Sequence, residues 1–200
     1  MNIELPVLQR QTVTIKLIGD SPLICHKWSE KAKKEMLDKQ MKKATQGRDA
    51  KDPLRDYADS LYWLSPRPSE LTPSNIQAGS FGFPTVAFKA AAVRAATDAG
   101  LKMTDARRAF HINGENVKIV GTPSMREDMV RVGMGTADIR YRGQFENWSI
   151  ELTVNFNATA MSVEQIINLF EIAGFGVGIG EWRPEKSGSN GRFHVAKGNE

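Results

Sequence analysis

The sequence predicts an α+β fold: a ferredoxin-like, RRM-like antiparallel sheet with a βαββαβ core and a helical insertion after the first strand. Three observations carry this expectation. Thr12-Val-Thr-Ile-Lys-Leu-Ile18 alternates polar and apolar residues like a half-buried strand and stops at Gly19-Asp-Ser-Pro22, a turn sequence. Val86, Ala87, Ala90, Ala91 and Val93 make one small-residue helix face that continues towards Ala99, the surface a helix needs to lie close on a sheet. Ser162-Val-Glu-Gln165 is a capping box opening a helix with Val163, Ile166, Ile167 and Phe170 on one stripe, and Arg192-Phe193-His194-Val195 then alternates as a short strand.

The remaining elements follow in order. After the first strand, Ser29 caps a helix whose Ala32, Met36 and Leu37 or Gln40 form a narrow apolar stripe, so most of its surface is wet. Residues 45–51 read as an exposed loop. Asp52-Pro53 cap and start a second helix, predicted to run through Tyr62, Trp63 and Leu64. Residues 65–72, with Pro66 and Pro68, are linker-like. Residues 27–80 therefore read as a basic, helical insertion within a single domain spanning 1–200. Phe81-Gly-Phe-Pro84 leads into the small-residue helix. Residues 117–120, 129–134 and 148–156 carry strand signals, separated by turn-like segments around Pro123 and Gly143. Gly174 stands where a C′ glycine ends a helix.

A chain of 200 residues, 40% hydrophobic, can bury one substantial core. Met1-Asn-Ile-Glu-Leu-Pro6 has no secretory-signal pattern, and no segment approaches the roughly 20 apolar residues of a spanning helix, so a cytoplasmic protein with no membrane partner is expected. The single cysteine, Cys25, excludes an internal disulfide and reads as a small hydrophobe. No Cys/His group has zinc spacing, so neither a metal nor another cofactor is expected. Residues 29–51 hold eight cations against four carboxylates, an excess equal to the whole net charge of +4. That stretch is either an ordinary solvated helix face or a basic arm tracking a nucleic-acid backbone.

The segment from Ala173 to Val195 sets six glycines among Trp182, Arg183, Lys186, Arg192 and Phe193. Gly176, Gly178 and Gly180, with Gly174, Gly188 and Gly191, let the backbone turn sharply and expose its N–H groups, which suits phosphates. The segment is neither a P-loop nor a dinucleotide site, because its glycines follow a helix and precede a strand and no Lys-Ser/Thr ending is present. Two aromatics and three cations are more than a plain crossover needs.

Ala173-Gly-Phe-Gly-Val-Gly-Ile-Gly-Glu-Trp-Arg-Pro184 with Gly191-Arg-Phe193, Phe83-Pro-Thr-Val-Ala-Phe-Lys-Ala-Ala-Ala-Val-Arg94, and Gly19-Asp-Ser-Pro-Leu-Ile-Cys-His26 together carry a likeness. On these the chain resembles the RAMP superfamily, and within it phage- or prophage-encoded relatives of the repeated backbone subunit of CRISPR effector complexes. The terminal segment resembles that family's glycine-rich loop between last helix and last strand. Lys89 and Arg94 match the Lys and Arg usual on its helix after a Pro-containing turn, and residues 19–26 are similar to its opening strand-loop. Residues 29–80 match no family motif. The resemblance implies binding of single-stranded RNA or DNA, with subunits stacking along the strand as a homo-oligomer or filament in a bacterial host cell.

Single-strand binding requires cations for phosphates and flat groups for bases. The residues expected to make contact are Lys89, Arg94, Arg140, Arg142, Gly176, Gly178, Gly180, Trp182, Arg183, Lys186 and Arg192. On a strand Arg140 and Arg142 share a face, able either to grip adjacent phosphates or to pair with carboxylates across the sheet. Arg107-Arg108 is either a solvated helix end or a phosphate contact. Tyr141, Phe81 and Phe83 are stacking candidates that read more readily as core than as ligand-facing, and Trp182, in the loop, is the best exception. Glu181-Trp-Arg-Pro-Glu185 reads as Arg183 held by neighbouring carboxylates or by a phosphate.

Catalysis is an open alternative. His26, His111 and His194 are possible acids or bases, and Asp20 sits where some relatives in that family carry a cleaving Asp, but the spacing assembles no pair. A non-enzymatic binder is therefore expected first, an RNA-cleaving RAMP-type endoribonuclease second, and a phage assembly or protein-interaction subunit without nucleic acid third.

Overall fold

The computed structural model describes residues 7–43, 50–132 and 135–198. The expectations for residues 1–6, for Arg48, Asp49 and most of the 45–51 loop, and for the end of the 129–134 strand lie outside the described residues. Along the chain the elements are β1 (Arg10–Gly19), β2 (Leu23–Ile24), α1 (Glu30–Gln40), α2 (Pro53–Ser60), β3 (Tyr62–Trp63), α3 (Pro73–Gln77), β4 (Phe81–Pro84), α4 (Thr85–Ala95), α5 (Met103–Ala109), β5 (Phe110–Ile112), β6 (Asn116–Lys118), β7 (Pro123–Val132), β8 (Thr136–Phe145), β9 (Ser149–Asn157), α6 (Val163–Ile172) and β10 (Phe193–Val195).

Period-two alternation makes the central sheet one-sided. On β9, Ile150, Leu152, Val154 and Phe156 are buried while Glu151 is exposed, and on β1 Ile15 and Leu17 are buried between Thr14, Lys16 and Ile18. The two strands pair antiparallel over their length, from Arg10 opposite Asn157 to Ile18 opposite Ser149. Short β10 and β5 complete a four-stranded sheet in the order β10-β1-β9-β5, antiparallel throughout. With α4 after β1 and α6 after β9, this is the expected βαββαβ core and its ferredoxin-like strand order. Phe88, Ala91 and Ala92 of α4 and Ile166, Leu169 and Phe170 of α6 join the sheet's apolar face in one core. Each Phe, Ile or Leu among them, fully buried, contributes about 1.5–3 kcal/mol, and an alanine methyl less.

The second core strand is β5, not residues 117–120. Phe110-His-Ile112 is too short to display an alternation, although it places Phe110 and Ile112 opposite Phe156 and Val154. Residues 117–120 overlap β6, which pairs with β4 in a second sheet, β3-β4-β6. The described part of 129–134 belongs to β7, the outer strand of a third sheet, β2-β8-β7. Pro123 opens β7, and Gly143 lies inside β8 rather than in a turn. A Cβ on Gly143 would overlap Leu61, so the glycine lets α2 settle on the strand.

Helix ends differ from expectation for local reasons. The Ser29 side chain accepts from Ala32 N at 3.2 Å and caps α1, which buries none of its own side chains. Asp52 caps α2, but the helix stops at Ser60, whose Oγ donates to Tyr57 O and accepts from Gly143 N, both at 2.7 Å. Tyr62 and Trp63 then become a strand instead of a helix end. The small-residue helix, α4, stops at Ala95 rather than running to Ala99. The capping box of α6 is formed as read, yet the helix runs to Ile172 and into a π-helical turn, Ala173–Val177. Gly174 is inside that turn, pressed on the Phe193 backbone where a Cβ would overlap it; Gly178, at φ +67°, ends the turn and donates to Ala173 O at 2.8 Å. Cys25 is fully buried, and that burial pushes its thiol pKa far above the ordinary value.

Candidate functional site

The glycine-rich segment is a structured loop pinned along one side. Ile179 N donates to Gly191 O at 3.0 Å, Gly191 N to Pro22 O at 2.8 Å, Glu181 N to Ile24 O at 3.1 Å and Asp20 N to Arg192 O at 2.9 Å. Arg192 N also donates to Ser21 Oγ at 2.9 Å. The loop therefore lies against residues 20–24, two of the three segments that carried the sequence likeness. At Gly191, φ is +66° and a Cβ would overlap the Ile179 carbonyl, so only glycine permits this approach. Gly176 faces open space, and no atom would contact a Cβ built there.

The third segment joins through charge. Arg183 donates from Nε and Nη2 to Glu185 Oε2, at 3.1 and 2.9 Å, and from Nη1 to Gly180 O at 3.1 Å. Glu185 Oε1 lies 3.6 Å from Arg94 Nε on α4. Arg183 is thus held by a neighbouring carboxylate, as one of its two readings had it. His26 Nδ1 and Glu181 Oε1 are 2.9 Å apart, and that hydrogen bond holds the Glu181 carboxyl below the usual range against the opposing effect of burial. His194 Nδ1 and Asp20 Oδ1 are 2.6 Å apart on the same side of the loop.

Trp182 has the least ordinary backbone of the site. Its φ is +55°, a region costly for a bulky residue by about 1 to 3 kcal/mol, and its side chain is nevertheless 44% exposed. Asn190 N donates to its carbonyl at 3.0 Å, and Gly188 packs against its backbone with no room for a Cβ. Exposed Lys186 follows in a single 3-10 turn, Pro184–Lys186, and half-buried Arg192 donates from Nε to Ser189 O at 3.3 Å.

No protein-family model matches the chain, and no curated protein does. Among solved structures it is similar to Cmr6 from Pyrococcus furiosus. That crystal structure matches over 95% of this chain and 100% of its own, with a TM-score of 0.47 and 10% sequence identity. At that identity no residue of one chain stands for a residue of the other.

The sequence-expected residues divide into three places. Gly176, Gly178, Gly180, Trp182, Arg183, Lys186, Arg192 and Arg94 gather at the loop. Lys89 turns to β5, with Nζ 3.0 Å from His111 Nδ1 and 5.9 Å from the Phe110 ring centroid. Arg140 and Arg142 lie on β8 beside a cavity of about 260 Å³ that Trp28 also lines. Arg142 is buried, its Nη1 3.0 Å from Asp128 Oδ2, so carboxylate pairing across the sheet is what it does; half-exposed Arg140 lies 3.6 Å from Asp138. Phe81 and Phe83 are core, packed edge-on against Trp63 and Tyr62. The sequence reading missed Glu185 as the link to α4 and Phe175, 79% exposed beside Gly176. An aromatic between two glycines was the available signal for Phe175.

Among the described residues no helix is long and apolar enough to cross a membrane.

Proposed function

We propose that the protein binds single-stranded RNA or DNA without cleaving it, with the glycine-rich loop as the contact surface and copies assembling along the strand. The observation that carries this reading is Trp182. A bulky aromatic kept in a costly left-handed conformation, 44% exposed and in the same loop as Arg183, Lys186 and Arg192, is not a core residue. It suits base stacking, and the cations beside it suit phosphates. The sequence likeness to RAMP-family backbone subunits, including phage-encoded ones, supports the same reading and adds the filament.

The test is fluorescence anisotropy of labelled single-stranded RNA and DNA over a salt titration, with negative-stain imaging of the mixture. Trp182→Gly removes the ring while accepting the positive φ, and is expected to weaken binding by about 1 to 3 kcal/mol, one stacked base. No binding of either strand at low salt sinks the reading and leaves a protein-interaction subunit in its place.

The Asp20–His194 pair favours RNA cleavage as a second reading, since it supplies the carboxylate and imidazole that spacing alone did not assemble. Loss of cleavage products in Asp20→Asn would establish it; intact RNA with the unsubstituted protein would exclude it.

A further inference from the structure

Most arginines that flank the loop and the β7–β8 hairpin have carboxylate partners: Arg94 and Arg183 share Glu185, Arg126 and Arg142 share Asp128, and Arg140 meets Asp138. The opposite edge of the central sheet is different. Arg10 on β1, Arg108 at the end of α5 and His111 on β5 line a cavity of about 310 Å³, and among the described residues no carboxylate lines it. Among the described residues neither Arg10, Arg107 nor Arg108 has an Asp or Glu within salt-bridge distance. Behind them Lys89, already partly desolvated, also feels the Arg107 charge, and both effects lower its pKa. Among the described residues, positive charge is thus concentrated at this corner without a carboxylate partner for Arg10, Arg107 or Arg108.

The hydrogen bonds leave donors unused at residues that line the cavity. Lys89 Nζ at 3.0 Å from His111 Nδ1 requires that nitrogen to accept, which leaves Nε2–H as the donor of the ring. Thr12 Oγ1 donates to Asn155 Oδ1 and Asn155 Nδ2 donates to Asn113 Oδ1, each at 2.6 Å, so the amide is fixed with one N–H unused. Two guanidinium forks, an imidazole N–H and an amide N–H around one cavity match the oxygens of a phosphate group.

We propose that this corner is a second anion site, taking a phosphate group through Arg10, Arg108 and His111 with Lys89 in support. Arg10 stands nine positions along β1 from Gly19, which pairs with Phe193 at the end of the loop, about 30 Å at about 3.3 Å per residue, so the site is separate from the loop. The phosphate is either a backbone phosphodiester of a strand already held at the loop, which rests on the proposed function, or that of a small phosphate-bearing molecule, which does not.

Two measurements separate these sources. Side-chain ¹H–¹⁵N spectra of the full chain are titrated with inorganic phosphate and with a nucleoside 5′-monophosphate, and strand binding is measured over salt for Arg10→Ala, Arg108→Ala and Arg108→Lys. Both substituted residues are exposed, so the three variants fold. The expected result is a saturable shift of His111 that Arg108→Ala abolishes, and a salt slope reduced by about 0.7 in each alanine variant but retained in Arg108→Lys. Reduced slopes without a His111 response also support the site and identify the backbone as the source. A His111 response in a protein that binds no strand overturns the strand-binding reading and leaves the phosphate site standing. No His111 response together with unchanged slopes overturns the site.

Discussion

Arg94 of α4 and Glu185 of the glycine-rich loop form an ion pair at 3.6 Å, and the same carboxylate takes two hydrogen bonds from Arg183. One side chain thereby ties the loop to the helix while neutralising two cations on the proposed contact surface. Glu185→Gln is expected to change global stability by less than about 1 kcal/mol, because all three partners are part-exposed. Single-strand affinity at low salt should instead rise, with a steeper salt slope, as both guanidiniums become available. Unchanged affinity in the anisotropy titration would show that neither arginine faces the strand.

The buried pair Arg142–Asp128 behaves differently. Asp128→Ala leaves the Arg142 guanidinium without its carboxylate in a site where its Nε already lacks a partner. A loss of about 3 to 5 kcal/mol in urea unfolding is expected, and replacing both residues together by apolar ones should cost less.

Two glycines of the loop should respond oppositely to alanine. Gly191→Ala forces a Cβ into the Ile179 carbonyl at a positive φ, and a destabilisation above about 1 kcal/mol with faster amide exchange in the loop is expected. Gly176→Ala meets open space, and a change within about 0.5 kcal/mol in the same unfolding assay is expected.

Glu181 has a folded pKa below its ordinary value, chiefly through the His26 hydrogen bond. A depressed carboxyl stabilises the fold above its unfolded pKa and loses that contribution as pH falls through the folded one. The stability margin of the protein over His26→Ala should therefore shrink as pH drops below about 4.5, the unfolded value. Denaturant midpoints measured in steps through the acid range check the direction.

What was legible in the sequence is what is local. The alternation of β1 and the Ser162–Gln165 capping box involve residues within a few positions, and both formed as read. Three-residue β5 carries too little pattern to announce itself, although Phe110 is fully buried. Gly143 looked like a turn because glycine's use there, admitting Leu61, depends on a helix some 80 positions away. The loop's composition was plain, but the pairs that hold it were not: His194 and Asp20 are 174 positions apart, and His26 and Glu181 are 155 apart. Arg142 met its carboxylate, Asp128, only once β7 and β8 had paired.

The adjacency of β1 and β9 also bears on how the chain tolerates change in length. These neighbours in the sheet close a long loop of chain, and α1, which buries none of its side chains, lies within it. The entropy of closing a loop grows only logarithmically, by about 0.6 kcal/mol per doubling. Lengthening or trimming the surface around α1 changes that term by a small fraction of a kcal/mol. The core can therefore carry different appendages at this position with little thermodynamic penalty, so α1 is a place where the chain can diversify without renegotiating its fold.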